Sequence, residues 1–363
     1  MKRLLFFASD YKIGLSQVLS DQLISIHNAG INYIAVAGEK EQEDGLTTTV
    51  ENSGIELRRI QGLDEHQDFM RIVRDVLKLI KEYKIEVAHV QNNWQLAIAY
   101  VALLKLWPKH KFEIAYTIHS FRNSNPMKAV IARCIIGSAL GLAARHVICM
   151  SDYLKNNFKL LSKNIRIIPL GVNNDLFIKD FIPPTTDALR LIFPAQFRPG
   201  KNQHMVIQAF AEYLRKSKKR NAELVLPGNG PLLEEMKALA SSLGIGNHVK
   251  FPGFVSKKQI KEEYLKSNIA IVASNSETFG QCIVEPYVLG RCIISTNVGV
   301  APEIIANGKN GWIYSDEHQL VEILLNLDND SSQLIEIGIR NFRGRNAFSW
   351  TTVTNRYIQQ ILS

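Results

Sequence analysis

Short apolar segments alternate with longer helical patterns along nearly the whole chain of 363 residues. Runs such as 4–8 and 269–273 have the length and composition of buried strands, and stretches such as 68–84 have the spacing of helices. Strands that alternate with helices predict an α/β fold with parallel, doubly wound sheets. The other predicted strands are 33–37, 87–90, 113–118, 146–149, 166–169, 189–194, 223–226, 249–251 and 292–295, and the other predicted helices include 16–28 and 127–144.

The alternation breaks at residues 181–187, which contain two prolines, and then it restarts. The chain is long enough for two domains that each bury a full core. We therefore predict two Rossmann-like domains, 1–180 and 188–346, that face each other across a cleft. Trp350 and the helical pattern after it predict a terminal helix, within 347–363, that crosses back to pack on the first domain.

Composition excludes several classes of protein. No stretch of the sequence approaches 18 consecutive apolar residues without a charge, so we predict no transmembrane helix. The apolar start resembles a signal peptide, but charges follow it closely, and a first strand is the better interpretation. The cysteines have no metal-ligand spacing, which predicts a reduced, cytoplasmic setting without structural zinc. They are Cys134, Cys149, Cys282 and Cys292.

Positive charge is concentrated in one segment. Residues 105–166 contain 11 Lys and Arg against Glu113 and Asp152, which matches the net charge of +9 for the whole chain. Apolar residues such as Phe112 and Ile131 are interleaved with these charges. Such a surface could rest on anionic lipid headgroups, or it could be a solvated basic face without a partner. Nucleic acid is a third alternative, but no recognised nucleic-acid module accompanies the charge.

Two carboxylates eight positions apart, Glu277 and Glu285, bracket a Phe-Gly step. They follow a predicted strand, and ligands of open α/β sheets bind at the carboxyl ends of strands. A helix that begins at Gly280 would direct its N–H groups towards the space beside Glu277, as in an anion site. If 277–285 were all helical, the carboxylates would lie about 12 Å apart, whereas glycosidase pairs lie about 5–9.5 Å apart. The spacing therefore indicates two ends of one elongated, phosphate-centred ligand.

Other candidate residues also follow predicted strands. Arg198 and Lys201 could bind phosphate, or they could be two ordinary charges of a surface loop. Gly228 and Asn229 lie in a Gly-rich turn that could let a ligand approach the backbone closely, and a simple turn is the alternative.

Two further candidates lie in the first half. His119 could hydrogen-bond a substrate hydroxyl, or it could be a structural histidine. Gly14, in the first strand–helix loop, could admit a phosphate or simply form a turn. All of these positions would line one cleft between the predicted domains, which is a favoured place for a ligand.

On these motifs the sequence resembles the retaining GT-B glycosyltransferases, specifically glycosyltransferase family 4. Residues 274–285 resemble the E-x7-E motif of that family, and 290–299 resemble the strand and turn that follow it. The resemblance covers nearly the whole chain. Its other segments are 195–210, 227–243, 249–255, 303, 310–312, 146–151 and 168–172.

The resemblance implies a role for each candidate residue. Glu285 would hold the ribose of a nucleotide-sugar, and Glu277 would hold the donor sugar and diphosphate. Arg198 and Lys201 would neutralise the departing diphosphate, and His119 would touch the donor sugar near the reacting centre. The other donor-binding positions implied are Thr278, Phe279, Gly280, Gly228, Asn229, Val255 and Gly14.

Three positions depart from the family pattern. Gln196 stands where many members have arginine, so we expect Arg198 to replace that charge. Pro286 stands where members usually have alanine, and it should remove one N–H of the helix and kink it. The Gly-rich loop after the first strand is reduced to Gly14.

The resemblance implies a retaining hexosyl- or related transferase without a cofactor. No Asp-x-Asp motif near a predicted strand end indicates a metal site, so we expect a metal-independent enzyme. A UDP- or GDP-sugar would be its donor, and the acceptor would be a saccharide or a lipid-linked glycan in lipopolysaccharide, capsule or other cell-surface polysaccharide synthesis. The first domain would be on the acceptor side and the second would bind the nucleotide-sugar, in the cytoplasm or at the inner face of the cell membrane. Two alternatives are a nucleotide-sugar epimerase of similar fold and a non-catalytic sugar- or nucleotide-binding partner.

Overall fold

The structure, a computed structural model, describes residues 1–8, 17–39, 46–64, 66–119, 144–158, 164–217 and 221–363. It divides into two compact units, one of residues 1–171 with 350–363 and the other of residues 172–349. Gly14, Ile131 and residues 127–143 of the predicted helix 127–144 lie outside the described residues.

The first unit contains a parallel sheet of seven strands in the order β3-β2-β1-β4-β5-β6-β7. The order reverses its direction beside β1, as expected of a doubly wound sheet. The strands are β1 (Leu4–Phe7), β2 (Tyr33–Ala37), β3 (Leu57–Arg59), β4 (Val87–Val90), β5 (Glu113–Thr117), β6 (His146–Cys149) and β7 (Ile165–Ile167).

The second unit contains a parallel sheet of six strands in the order β10-β9-β8-β11-β12-β13. Its order also reverses, beside β8. The strands are β8 (Leu189–Ile192), β9 (Ala222–Val225), β10 (Val249–Lys250), β11 (Ile269–Val272), β12 (Cys292–Ser295) and β13 (Gly311–Ile313).

Helices connect the strands in both units, and several begin at a side chain that accepts a backbone N–H, as at Asn92 and Asp316. Those described in the first unit are Gln17–Asn28, Leu46–Asn52, Phe69–Glu82, Asn93–Leu106, Asp152–Phe158 and Trp350–Tyr357 with the π-helical turn Ile358–Leu362. Those in the second are Gln203–Lys216, Leu233–Ser242, Lys257–Lys266, Gln281–Val288, Ala301–Ile304, Glu317–Asn329 and Gln333–Gly344, with 3₁₀ turns Asn174–Leu176, Gly246–His248 and Arg345–Phe348.

Strand β1 of the first sheet is buried on both of its faces. In β1, Leu5 and Phe7 join one apolar cluster, while Leu4 and Phe6 join another on the opposite face. This alternation follows from the two-residue period of a strand. Phe112 is 5% exposed and belongs to the first cluster, so the expectation that it contributes to a basic surface was wrong.

The α/β prediction is confirmed, but the sequence did not reveal the strands β3 and β13. Each is only three residues long and lies at an edge of its sheet. Half-exposed β3 contains two arginines, and β13 begins with Gly311. Neither therefore has the apolar run that identifies a buried strand.

The C-terminal segment belongs to the first unit. Trp350 is buried with Tyr357 in the cluster that contains Leu4 and Phe6, and a Cβ atom at Gly171 would lie 2.4 Å from its indole ring. Residues 172–187 belong to the second unit. Asn268 Nδ2 donates to Thr185 O of that segment, and the Arg291 guanidinium donates to Ile182 O. The division between the units thus precedes residues 181–187.

Candidate functional site

Loops that follow separate strands of the second unit are joined at one edge of its sheet. Gly228 N donates to Gly253 O at 2.8 Å, and Asn275 N donates to Gly200 O at 2.9 Å. Parallel strands all end at the same edge, which explains why segments so far apart in sequence meet. The candidate residues after β8, β9, β10 and β11 therefore share one edge of one sheet.

Lys201 and Glu277 form an ion pair across two of these loops, from Nζ to Oε1. Their side chains are only 12% and 16% exposed, so solvent screens the pair less than it screens a surface pair. Asn202, in the left-handed conformation with φ 56°, donates from Nδ2 to Ala273 O at 2.8 Å. That contact fixes the loop that carries Lys201 against the end of β11.

Arg198 is half-buried in the loop after β8. Among the described residues, its guanidinium has no hydrogen-bond or ion-pair partner. Gln196 has an exposed side chain, and its backbone oxygen accepts a hydrogen bond from Gln203 Nε2 at 3.1 Å. The replacement of the family's arginine by Arg198 stays a prediction.

The glycines after β9 lie against the backbone of the preceding loop. A Cβ atom at Gly228 would lie 2.0 Å from Ala195 O, and one at Gly230 would lie 2.3 Å from Phe197 O. Asn229 Oδ1 accepts from Gly230 N at 2.8 Å. Close packing of protein backbone thus explains these glycines, and a ligand contact at Gly228 and Asn229 stays a prediction.

The helix after β11 begins at Gln281, directly after Gly280, whose φ is 96°. Phe279 is buried, and its carbonyl oxygen accepts from Val300 N at 2.8 Å. The loop before the helix is therefore tied to the turn after β12. The N–H groups in the first turn of any helix lack intrahelical partners, and here that turn lies at the same edge as Lys201.

Residues 277–285 do not form one continuous helix, and the helix begins directly after Gly280, as the sequence predicts. Glu277 and Thr278, half-buried, lie in the loop, and only Glu285 lies in the helix. The separation of about 12 Å that a continuous helix would impose therefore does not apply. The helix continues for two residues beyond Pro286, which lacks a backbone N–H, and Pro286 O accepts from Arg291 N at 2.9 Å.

Glu285 is half-buried and accepts a hydrogen bond at Oε2 from the hydroxyl of Tyr264, at 3.0 Å. Burial raises the pKa of Glu285 to about 7, although the hydrogen bond from Tyr264 and the charge of Lys257 lower it. The carboxyl group is therefore poised between its neutral and charged forms near pH 7.

Tyr264 was not predicted from the sequence. The residue is 1% exposed on the polar helix Lys257–Lys266, where it is the single buried residue. A single aromatic residue in so polar a helix was the feature of the sequence that could have indicated a buried contact. Val255, half-buried, lies just before this helix, and its neighbour Phe254 is 86% exposed.

His119 lies in the first unit, after β5, and is half-buried. Its Nε2 lies 2.7 Å from Oε1 of Gln91, which follows the neighbouring strand β4. His89 in β4 is fully buried between Thr117 Oγ1 at 2.7 Å and Tyr357 OH at 3.1 Å. Burial, and to a smaller extent His119, lowers the pKa of His89 to about 3. His89 is therefore a neutral structural residue, and a role for His119 with a ligand stays a prediction.

In the described part of the chain, no group of three or more His, Cys, Asp or Glu residues could hold a metal ion. No helix within the same residues is long and apolar enough to cross a membrane.

Family models match both halves of the chain. The family model described as "Glycosyl transferases group 1" matches residues 176–340, and the one described as "Glycosyltransferase Family 4" matches residues 16–176. Alpha-monoglucosyldiacylglycerol synthase of Streptococcus pneumoniae is 25% identical over 303 residues, which cover 74% of this chain and 67% of the relative. Putative glycosyltransferase EpsD of Bacillus subtilis is 26% identical over 261 residues, 67% of each chain.

Solved structures share the fold. Alr3699/HepE of Anabaena, solved with UDP and glucose, superimposes with a TM-score of 0.76 at 17% identity, over 100% of both chains. The lipopolysaccharide outer core galactosyltransferase WaaB, in its apo form, also gives 0.76, at 16% identity over 100% of this chain and 99% of that one.

Proposed function

We propose, from the premise that this chain belongs to the glycosyltransferases of GT-B type, that it is a metal-independent, retaining transferase. It moves a hexose or related sugar from a nucleotide-sugar to a saccharide or lipid-linked acceptor. The observation that carries the proposal is the contact between Lys201 and Glu277, at the strand edge where the helix containing Glu285 also begins. Opposite charges and a helix N-terminus at one edge suit a ligand with a phosphate centre and hydroxyls at both ends.

The proposed reaction replaces one bond at the anomeric carbon of the donor sugar by another. The bond between the anomeric carbon and the β-phosphate oxygen breaks, and the acceptor oxygen forms a new bond to that carbon. The departing diphosphate gains negative charge, which Lys201, Arg198 and the first turn of the helix at Gln281 stabilise. Glu277 binds hydroxyls of the donor sugar. The acceptor hydroxyl attacks on the face that the diphosphate leaves, and its proton passes to the leaving phosphate oxygen.

The donor is a UDP- or GDP-sugar, with the base held by backbone groups near Val255. A neighbour in structure solved with UDP supports testing UDP first. The relative named for the synthesis of alpha-monoglucosyldiacylglycerol supports a lipid-linked acceptor, and cell-surface glycan synthesis is the process that we propose.

Release of nucleoside diphosphate, measured with and without acceptor, tests the proposal. A transferase releases it fast only with acceptor, an epimerase gives no net release, and a non-catalytic binding protein gives neither release nor isomerisation. Lys201→Ala and Glu285→Ala should weaken nucleotide binding, and Glu277→Ala should reduce turnover more than nucleotide affinity. Lys237→Ala, an exposed lysine of the second unit, is the matched control. Unchanged turnover in Glu277→Ala would refute the site assignment.

A second surface favours contact with an anionic membrane. Leu104 and Trp107 are 57% and 59% exposed, and Lys105, Lys109 and Lys111 are exposed beside them. We call these five residues the basic–aromatic patch. Lys111 Nζ lies 4.5 Å from the centre of the Trp107 ring. An indole and an apolar side chain among ammonium groups suit the headgroup region of an anionic bilayer.

Sedimentation with vesicles decides whether this patch binds lipid. Full-length protein should sediment with vesicles that contain anionic phosphatidylglycerol and less with neutral phosphatidylcholine, because each ammonium contributes about 1 kcal/mol near an anionic surface. Replacing Lys105, Lys109 and Lys111 by Glu should abolish the difference. Lys78→Glu, which changes one exposed lysine elsewhere in the unit, should weaken sedimentation far less. Equal binding to both vesicles would refute the electrostatic contact.

A further inference from the structure

The helix Lys257–Lys266 is fixed at both of its ends. At its start, Ser256 Oγ accepts from Gln259 N and the Gln259 side chain accepts from Ser256 N, which forms a capping box. Near its end, Tyr264 is buried to 1% exposure. The helix therefore holds its tyrosine at a fixed distance from Val255, where we propose that the base lies.

The hydroxyl of Tyr264 points to Glu285. It donates to Oε2 at 3.0 Å across 21 residues of sequence, so it links this helix to the helix Gln281–Val288. A carboxylate has two oxygens and about four acceptor positions. With Oε2 bonded to the phenol, Oε1 keeps its acceptor positions for a second donor.

We propose that Tyr264 is a positioning residue for nucleotide binding: its hydroxyl fixes the Glu285 carboxylate so that Oε1 accepts a hydrogen bond from a ribose hydroxyl. This inference rests on the proposed function, because it assigns the ligand of Glu285. Tyr264 itself does not touch the reacting atoms. Its contribution passes through Glu285 and therefore affects ligands that contain ribose and not the diphosphate alone.

The same hydrogen bond controls the charge of Glu285. A donor to the ionised form favours ionisation, and burial opposes it. The other groups that act on this cluster are Lys257, which favours the carboxylate, and Cys282 on the helix of Glu285, whose thiol burial keeps protonated by raising its pKa. Without the phenol hydroxyl, Glu285 should therefore be protonated up to a higher pH, and the neutral form binds a ribose hydroxyl less strongly.

Tyr264→Phe tests the proposal because it keeps the ring and removes only the hydroxyl. We expect the Kd for UDP or GDP, measured by calorimetry on the full chain at pH 7, to rise about tenfold to a hundredfold, as for other hydrogen bonds to charged groups. The Kd for inorganic pyrophosphate should not change. The pH at which nucleotide affinity is half of its maximum should move upward. Tyr314→Phe, which removes another buried hydroxyl of the same unit, bonded to Val272 O at 3.3 Å, should change none of these values.

A double variant separates positioning from packing. In Glu285→Ala, the additional change Tyr264→Phe should leave the Kd for UDP or GDP unchanged, because the hydroxyl has lost its acceptor. Equal losses for pyrophosphate and nucleotide, or additive losses in the double variant, would overturn the positioning role. Wild-type protein that binds neither UDP nor GDP would overturn the proposed function as well, whereas wild-type binding with unchanged Tyr264→Phe affinity would overturn this inference alone.

Discussion

The raised pKa of Glu285 has a measurable effect on stability. The pKa of Glu285 is 4.5 in its ordinary state and about 7 in the folded protein. At a pH between these two values, the folded state holds a proton that the unfolded chain has released. The free energy of unfolding must therefore fall as the pH rises through this window. The contribution is complete below pH 4.5 and is lost as the pH passes the folded-state value.

The size of the effect follows from the width of the window. Each pH unit contributes up to 1.36 kcal/mol, so the interval from 4.5 to about 7 gives at most about 3 kcal/mol. Because the side chain is half-buried and not fully enclosed, we expect about 1–3 kcal/mol. Glu285→Gln keeps the shape of the neutral carboxyl group and cannot ionise, so the variant should lack this loss.

Urea unfolding of wild type and Glu285→Gln at pH 5, 6, 7 and 8, without nucleotide, measures the difference. The wild type should lose stability relative to the variant as the pH rises. Glu262→Gln, which removes an exposed carboxyl group on the helix Lys257–Lys266, should give a curve parallel to that of the wild type. If the Glu285→Gln curve were also parallel, burial would not control the charge of this residue and the argument would be refuted.

Two further predictions concern packing, and both are measured by urea unfolding. Gly228→Ala would bring a Cβ atom within 2.0 Å of Ala195 O at a φ of 146°, and should reduce the free energy of unfolding by about 2–4 kcal/mol. Gly244→Ala, with φ 70° and no atom within 4 Å, should cost about 1 kcal/mol, and equal losses would contradict the contact. Trp350→Ala should cost about 3–5 kcal/mol because the indole is 4% exposed, whereas Trp107→Ala, 59% exposed, should cost less than about 0.5 kcal/mol.

Much of the fold and part of the candidate site could be predicted because a short apolar run predicts both a buried strand, such as β11, and the residue at which it ends. Parallel strands bring their carboxyl ends to one edge of the sheet. Lys201 and Glu277 could thus be expected at the same edge. Their direct contact could not be predicted, since it depends on the left-handed turn at Asn202 and its bond to Ala273 O.

The partner of Glu285 was beyond sequence reasoning for a similar reason. Tyr264 and Glu285 lie on different helices, and no periodicity within one helix reports a contact with another. The effect of Pro286 on its helix could not be predicted from the sequence either. A proline in a helix removes one donor, yet the helix continues for two residues beyond it.

Because Lys201 and Glu277 form an ion pair, we expect that removing one or the other will have different effects on nucleoside diphosphate affinity. The ammonium is paired with a carboxylate, so a diphosphate that binds Lys201 exchanges one charged partner for another. Removing Glu277 leaves that ammonium without its carboxylate and costs stability, but it also removes a competitor of the diphosphate. Nucleoside diphosphate affinity in Glu277→Ala should therefore stay close to that of wild type or increase, while Lys201→Ala should weaken it. A Glu277→Ala variant that lost nucleotide affinity as strongly as Lys201→Ala would show that the carboxylate supports the diphosphate site instead of competing for it.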